Sequence, residues 1–192
     1  ESLSSNNRSK VRRGLKRCRV EPTPMAVIAE HGVRANEDTV GRQGRDGVFA
    51  GDRWGRFFDV AGRTDGFEGW AAWIDDQLAA FLVTVSFADS VEFLLARSRS
   101  DLLGAYPNNA LVFTVAEEML ARRRVGAVTF GLESLEPVGP LDQFKFGMGF
   151  VRRPLRQRIV FHPLLRAPLA VPAVRGALLR FAESRGEDGV FW

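Results

Sequence analysis

One ten-residue run, Leu141-Asp142-Gln143-Phe144-Lys145-Phe146-Gly147-Met148-Gly149-Phe150, concentrates the chemistry this sequence offers. Lys145 is the only lysine after residue 16, in a chain whose positive charge is otherwise almost all arginine. Lysine is a compact point charge whose proton affinity moves with its surroundings, whereas arginine is a planar fork that stays charged. A lysine among arginines therefore invites a chemical reason. The plain alternative is a helix-surface lysine facing water, where most charges lie. Tyr106 is the sole tyrosine and Cys18 the sole cysteine. One cysteine excludes an internal disulfide and a cysteine-based zinc site, and fits a cytoplasmic protein. His31 has no partner at triad or metal-ligand spacing, and reads as structural.

The elements that must hold these residues follow in order. Ser4, Ser5, Asn6 and Asn7 offer N-caps to a helix over residues 8–17. Val11 and Leu15 share one of its faces, and Arg8, Arg12, Arg13, Lys16 and Arg17 make the others basic. Residues 20–23 read as extended, broken by Pro22 and Pro24. A helix is expected over 25–42, carrying Ile28, His31 and Ala35. Gly41, Gly44, Gly47 and Gly51 mark a linker or substrate loop; no strand precedes it and no Gly-Lys-Ser/Thr follows, so it lacks the Walker pattern. Residues 52–63 read as a helix with Trp54, Phe57, Phe58 and Ala61 turned to the core. Strand patterns at 69–74, 77–87 and 91–96, joined by short turns, predict antiparallel hairpins. After an irregular polar stretch, Pro107-Asn108-Asn109 opens a helix with Leu111, Val112, Val115, Ala116, Met119 and Leu120 on one side. Arg122, Arg123 and Arg124 suit its negative end, and Gly126 terminates it. Residues 128–131 form a short strand, parallel by crossover logic. A short helix at 141–147 follows, then a strand over 151–161 that completes the sheet, and a tail with a helix over 173–184.

The 192 residues are 45% apolar and 26% charged, ordinary for a globular chain with one good core. No apolar run approaches the roughly 18 residues of a membrane span. The net charge of +4 is uneven: +5 over residues 1–21, −6 over 22–150 and +5 over 151–192. Basic ends around an acidic middle fit an anionic ligand such as a nucleotide, a coenzyme phosphate or RNA; a solvated charge pattern with no partner fits as well. The chain begins at Glu1, not Met, and we read it as a fragment whose N-terminal part is missing.

Hairpin, long helix, strand, short helix and final strand is the order of the second half of a GNAT-type acyltransferase fold. The detail resembles the FemA/FemX-type (FemAB-related) branch. The residues carrying the likeness are Tyr106-Pro107-Asn108-Asn109-Ala110-Leu111 opening the helix, Phe130-Gly131 on the strand, Gln143-Phe144-Lys145, and Met148-Gly149-Phe150. The branch's last element reads Phe-Lys, two residues, Phe-Gly; here Met148 replaces the phenylalanine, an apolar exchange that should preserve packing. The segment 6–15 is similar to the branch's basic lead-in helix. The resemblance spans about residues 4–161. It implies an α+β fold: a mixed, mostly antiparallel twisted sheet flanked by helices. It also implies a basic lead-in helix over 1–22, an acyltransferase domain over 23–162 and a helical tail over 163–192.

The resemblance further implies transfer of an acyl or aminoacyl group from an activated donor to an amine or hydroxyl of a cell-envelope precursor or polysaccharide. Lys145 would sit at the active site and Phe144 would line the donor channel. Arg8, with Arg12 as alternative, would hold acceptor phosphate. A cation near the reacting carbonyl stabilises the tetrahedral oxyanion. Tyr106 is either a general acid for the leaving group or a packed loop residue. The stretch Arg97-Ser98-Arg99-Ser100-Asp101-Leu102-Leu103-Gly104-Ala105 lacks the double-glycine loop that commonly binds coenzyme A pyrophosphate before the long helix. Acetyl-coenzyme A, another acyl-thioester and aminoacyl-tRNA therefore all stay open as donors, with Arg97, Arg99 and Asn108 as contacts; no metal is expected. The competing readings are a non-catalytic GNAT-like scaffold module and a tRNA-binding module. The latter is disfavoured because aromatics do not interleave with the basic residues.

Overall fold

The computed structural model describes residues 3–43, 51–132 and 139–154, and then positions 156, 160, 171–174, 176 and 180. The expected linker therefore lies outside the described residues from 44 to 50. Two compact units divide the chain, Glu1–Arg152 and Arg153–Trp192. In the second, positions 172–174, 176 and 180 are helical, where a tail helix was expected.

The first unit runs α1 (Ser5–Arg17), β1 (Arg19–Pro22), α2 (Met25–His31), α3 (Val33–Arg42), α4 (Asp52–Arg63), β2 (Phe67–Ile74), β3 (Gln77–Phe87), β4 (Ser90–Ser98), a 3₁₀ turn (Leu103–Ala105), α5 (Pro107–Ala121), β5 (Ala127–Thr129) and α6 (Pro140–Gly147). Its strands form one sheet in the order β1-β2-β3-β4-β5. Every pairing is antiparallel except β4 with β5. This is the mixed, mostly antiparallel α+β architecture expected. Helices α1 and α5 cover one sheet face, and α2, α3 and α4 the other.

The Ser4 hydroxyl caps α1, accepting from the Asn7 N–H at 3.3 Å. The buried stripe of α1 is Asn7, Val11 and Gly14; Leu15, expected beside Val11, is exposed. The reason is a close crossing. A Cβ on Gly14 would lie 2.7 Å from the Tyr106 carbonyl oxygen and 3.0 Å from the Ala110 Cβ. Backbone meets backbone at Gly14, and its neighbour turns outward.

The expected helix over 25–42 is two helices, broken at Gly32. A side chain there would meet the Ile28 carbonyl at 2.5 Å and the Phe81 ring at 3.1 Å. Ile28 and Ala35 are buried as expected, and His31 lies edge-on to Trp73, 5.9 Å between centroids. Under α4, the Trp54 ring meets Phe58 at 4.6 Å and Phe81 at 5.9 Å, and its Nε1 donates to the Ala29 carbonyl at 2.8 Å. On α5, Leu111, Val112, Val115 and Met119 are buried, whereas Leu120 faces out. Arg122, just past α5, forks onto Glu68 of β2, with Nη2 2.9 Å from Oε2, and that bond raises its proton affinity.

The β2–β3 turn has Asp75 and Asp76 both at positive φ, 46° and 59°, the twist that matches a two-residue hairpin. Between β3 and β4 the register slips: Val83 pairs with Leu95 but Thr84 with Phe93, leaving Leu94 extra. This bulge sends side chains two apart to opposite faces. Phe93 joins the α5-side core, and Leu95 joins the core under α2 and α4. Of the strand expected over 151–161, the described positions 151–154, 156 and 160 lie outside any strand, and among the described residues the sheet ends at β5.

Candidate active site

The site begins with a mismatch of lengths. β4 pairs with β3 along its whole length, but with β5 only at Ser90, Val91 and Glu92. Beyond Glu92 the chain after β5 departs through Gly131, at φ +61°. Glu92 fastens that exit: its Oε1 accepts from the Gly131 N–H at 2.7 Å, and its other oxygen accepts from the Thr129 hydroxyl. The opposite limit is Ser98, where Thr39 of α3 stands in for a neighbouring strand. Its hydroxyl oxygen accepts from the Ser98 N–H at 2.9 Å, and its hydroxyl donates to the Ser98 carbonyl at 3.1 Å. Between these limits residues 93–97 have no strand neighbour on that side among the described residues. At about 3.3 Å per residue this is roughly 16 Å of edge.

An aromatic trio floors the opening. Phe93 lies 5.5 Å from Phe130 and 5.9 Å from Phe150, and those two rings lie 5.4 Å apart. Lys145 stands behind it. Its Nζ is 5.6 Å from the Phe130 centroid, donates to the Leu132 carbonyl at 3.1 Å, and pairs with Asp142 at 3.5 Å. The residue is only 8% exposed, which rules out the surface-lysine alternative. Among the described residues the ammonium makes one hydrogen bond, to the Leu132 carbonyl, and one charge contact, to Asp142. Phe144 is half-buried against the same core. Met148 is buried, its sulfur 3.4 Å from Asn109 Nδ2.

The first turn of α5 stands at the far end of the edge. Asn108 donates to the Ser98 hydroxyl at 3.0 Å. Asn109 reaches Asn7 at 3.3 Å as well as Met148, and so ties α1, α5 and α6 together. Tyr106 precedes α5 in a left-handed conformation, φ 62°, uncommon for a bulky residue. Arg13 of α1 stacks on its ring at 4.6 Å, and Arg17 donates to the Gly104 carbonyl at 3.3 Å. The two arginines that α1 brings to this loop are thus Arg13 and Arg17. Arg8 and Arg12 are exposed, and their side chains make no hydrogen bond or ion pair among the described residues.

Arg97 donates through Nε to Asn36 at 3.0 Å and through Nη1 to the Ala96 carbonyl at 3.0 Å. Arg99 forks onto Asp101 at 3.0 and 2.7 Å and gives its remaining nitrogen to Gln77 at 2.8 Å. That fork raises the proton affinity of Arg99 and holds the exposed Asp101 carboxyl below the usual carboxylate range. Arg42 donates to the Ser98 carbonyl at 3.0 Å and its hydroxyl at 3.1 Å. Sequence reasoning missed Glu92, Thr39, Arg42, Ser98 and Asp142. Only Asp142 carried a signal, its spacing of three from Lys145. Among the described residues no three His, Cys, Asp or Glu cluster as a metal site requires, and no helix is long and apolar enough to cross a membrane.

A sheet that parts between β4 and β5 beside the start of a long helix is the fold of the GNAT-type acetyltransferases, and solved structures bear that out. The chain is similar to FemX, with 14% identity, a TM-score of 0.61, and coverage of 77% of this chain and 54% of that one. It is also similar to an aminoglycoside acetyltransferase from an uncultured soil metagenomic sample, in complex with sisomicin, with 6% identity, a TM-score of 0.58, and coverage of 77% and 97%. A third is AAC(6')-Iy in complex with the bisubstrate analogue CoA-S-monomethyl-acetylneamine, with 12% identity, a TM-score of 0.53, and coverage of 76% and 96%. No family profile and no curated protein sequence matches the chain.

Proposed function

We propose that this chain is an acyltransferase that moves an acyl group from an activated thioester to an amine or hydroxyl acceptor. The observation that carries the reading is the edge of β4 that has no strand neighbour among the described residues, beside the first turn of α5, with a buried ammonium behind its floor. A free strand edge binds an extended, amide-bearing arm as an added strand, and the pantetheine of coenzyme A is such an arm. The N–H groups in the first turn of α5 suit the donor's phosphates, with Asn108 ordering the turn through Ser98, while Arg99 is held by Asp101 and Gln77.

In the reaction the acceptor nitrogen or oxygen attacks the thioester carbonyl. The new C–N or C–O bond forms, the C–S bond breaks, and the acceptor's proton leaves while the thiolate gains one. Lys145 offers an N–H to the oxyanion. Tyr106 protonates the departing thiolate. Arg8 and Arg12, exposed on α1, hold an anionic acceptor such as a phosphate-bearing envelope precursor. The likeness to FemX, a TM-score of 0.61 over 77% of the chain, supports the FemAB-related assignment. The structure with a coenzyme A bisubstrate analogue supports an acyl-coenzyme A donor.

Calorimetric titration with coenzyme A and acetyl-coenzyme A, on the native chain and on Lys145→Ala, tests this. Micromolar binding that weakens in the variant is expected. An absence of binding would overturn the thioester donor and turn the search to aminoacyl-tRNA, read by gel shift across salt concentrations. Turnover unchanged in Lys145→Ala would remove that residue from the chemistry.

A further inference from the structure

Asp142 is a buried carboxylate to which the proposed reaction gives no part. It is 3% exposed and occupies the first turn of α6, where a negative charge suits the helix dipole. Three residues later on the same face, Lys145 presents its Nζ 3.5 Å from Asp142 Oδ1. A buried carboxylate and a buried ammonium are each costly alone and tolerable together. Among the described residues no other carboxylate pairs with Lys145. Asn7 of α1 and Asn109 of α5, packed at the far end of α6, are uncharged. Glu92 of β4 commits both its oxygens to Thr129 and Gly131. Arg152 stacks on the Phe146 ring at 4.9 Å and is itself positive.

We propose that Asp142 is a positioning residue, holding the Lys145 ammonium at the end of β5 where the donor's carbonyl arrives. The pair rests on geometry, and its purpose rests on the acyl-transfer reading. The Leu132 carbonyl fixes the ammonium from the strand side and Asp142 fixes it from the helix side. Together they hold a flexible four-carbon stem in one place. Without the carboxylate the stem loses its helix-side tether, and the ammonium is no longer fixed where an oxyanion needs it.

The chain has three lysines, Lys10, Lys16 and Lys145, so labelled lysine side chains give few, separable NMR signals. In Asp142→Asn the Lys145 side-chain signals are expected to lose their separate position and move toward those of Lys10 and Lys16, and Asp142→Glu is expected to restore most of the difference. Unmoved Lys145 signals in folded Asp142→Asn overturn the proposal. Should that variant fail to fold, Lys145→Met reads the same contact from the other side: the Asp142 carboxyl signal must then move, and an unmoved signal overturns the proposal again. Turnover of acetyl-coenzyme A with sisomicin as a probe acceptor separates the two layers. In Asp142→Asn, kcat falls with KM for acetyl-coenzyme A little changed. If the signals move but Lys145→Ala turns over normally, the acyl-transfer role of Lys145 fails, and only the ion pair survives.

Discussion

The two ends of β4 are held by different means. At the near end, Ser90 to Glu92 sit between two strands, and Phe93 is locked by Phe130 and Phe150. At the far end one flank has no neighbouring strand among the described residues, and side chains take its place: Thr39, Arg42 and Asn108 converge on Ser98. Beyond it the Ser100 N–H donates to Asp38 at 2.7 Å, and Asp101 pairs with Arg34 and Arg99. The difference shows how a strand keeps a ligand-accessible edge without fraying. Backbone pairing would have closed the edge; side-chain lacing from α3 fixes the strand's tip and, among the described residues, leaves residues 93–97 without a neighbouring strand on that flank.

Four substitutions probe that contrast. Phe93→Ala strikes the near end and should cost about 3–5 kcal/mol in urea unfolding; a loss below that of any far-end variant would break the comparison. Thr39→Val keeps the shape but strands the buried Ser98 N–H, and should cost about 1–3 kcal/mol. It should also weaken coenzyme A binding by calorimetry, because the edge is no longer fixed at its tip. Arg42→Met, at an exposed residue, should cost about 0.5–1.5 kcal/mol, and combined with Thr39→Val the loss should be less than additive, since both act on Ser98. The smallest effect belongs to Asp101. Its hydrogen bond with Arg99 depresses its folded-state proton affinity, so the stability it contributes is present above the ordinary carboxylate range, about pH 3.9, and is lost as pH falls through the lower folded value. The stability gap between the native chain and Asp101→Asn should therefore be flat near neutrality and close in acid. A gap that widened as pH fell would overturn that assignment.

Much of this fold was legible because local signals agreed with tertiary ones. The hairpins followed from Asp75-Asp76 and Ala88-Asp89 between apolar runs, and α5 from Pro107 and its apolar spacing. What could not be read was set by contacts across the sheet. The break at Gly32 depends on the Phe81 ring, and the exposure of Leu15 on the approach of Gly14 to Tyr106. In the site, the ten-residue run around Lys145 drew attention by composition. Its burial depends on the Leu132 carbonyl, thirteen residues away, which no spacing rule reaches. Arg97 and Arg99 looked like phosphate ligands on charge alone, yet Arg99 has committed all three guanidinium nitrogens to Asp101 and Gln77. Thr39 and Arg42 gave no signal because their partner lies more than fifty residues away.

The bulge at Leu94 has a consequence for how this strand tolerates changes in length. Ahead of it, odd-numbered residues, Val91 and Phe93, face α5; after it, even-numbered Ala96 does, while odd-numbered Leu95 faces α4. Leu94 is therefore a parity switch. Deleting it would leave a regular ladder in which Phe93 still faces Thr84, Leu95 still faces Val83 and Ala96 still faces Leu82, so every later residue would keep its partner and its side. Only the local kink and added twist of the bulge would go. Leu94, whose side chain is 47% exposed, is thus a place where this strand can lose a residue without changing what faces either core.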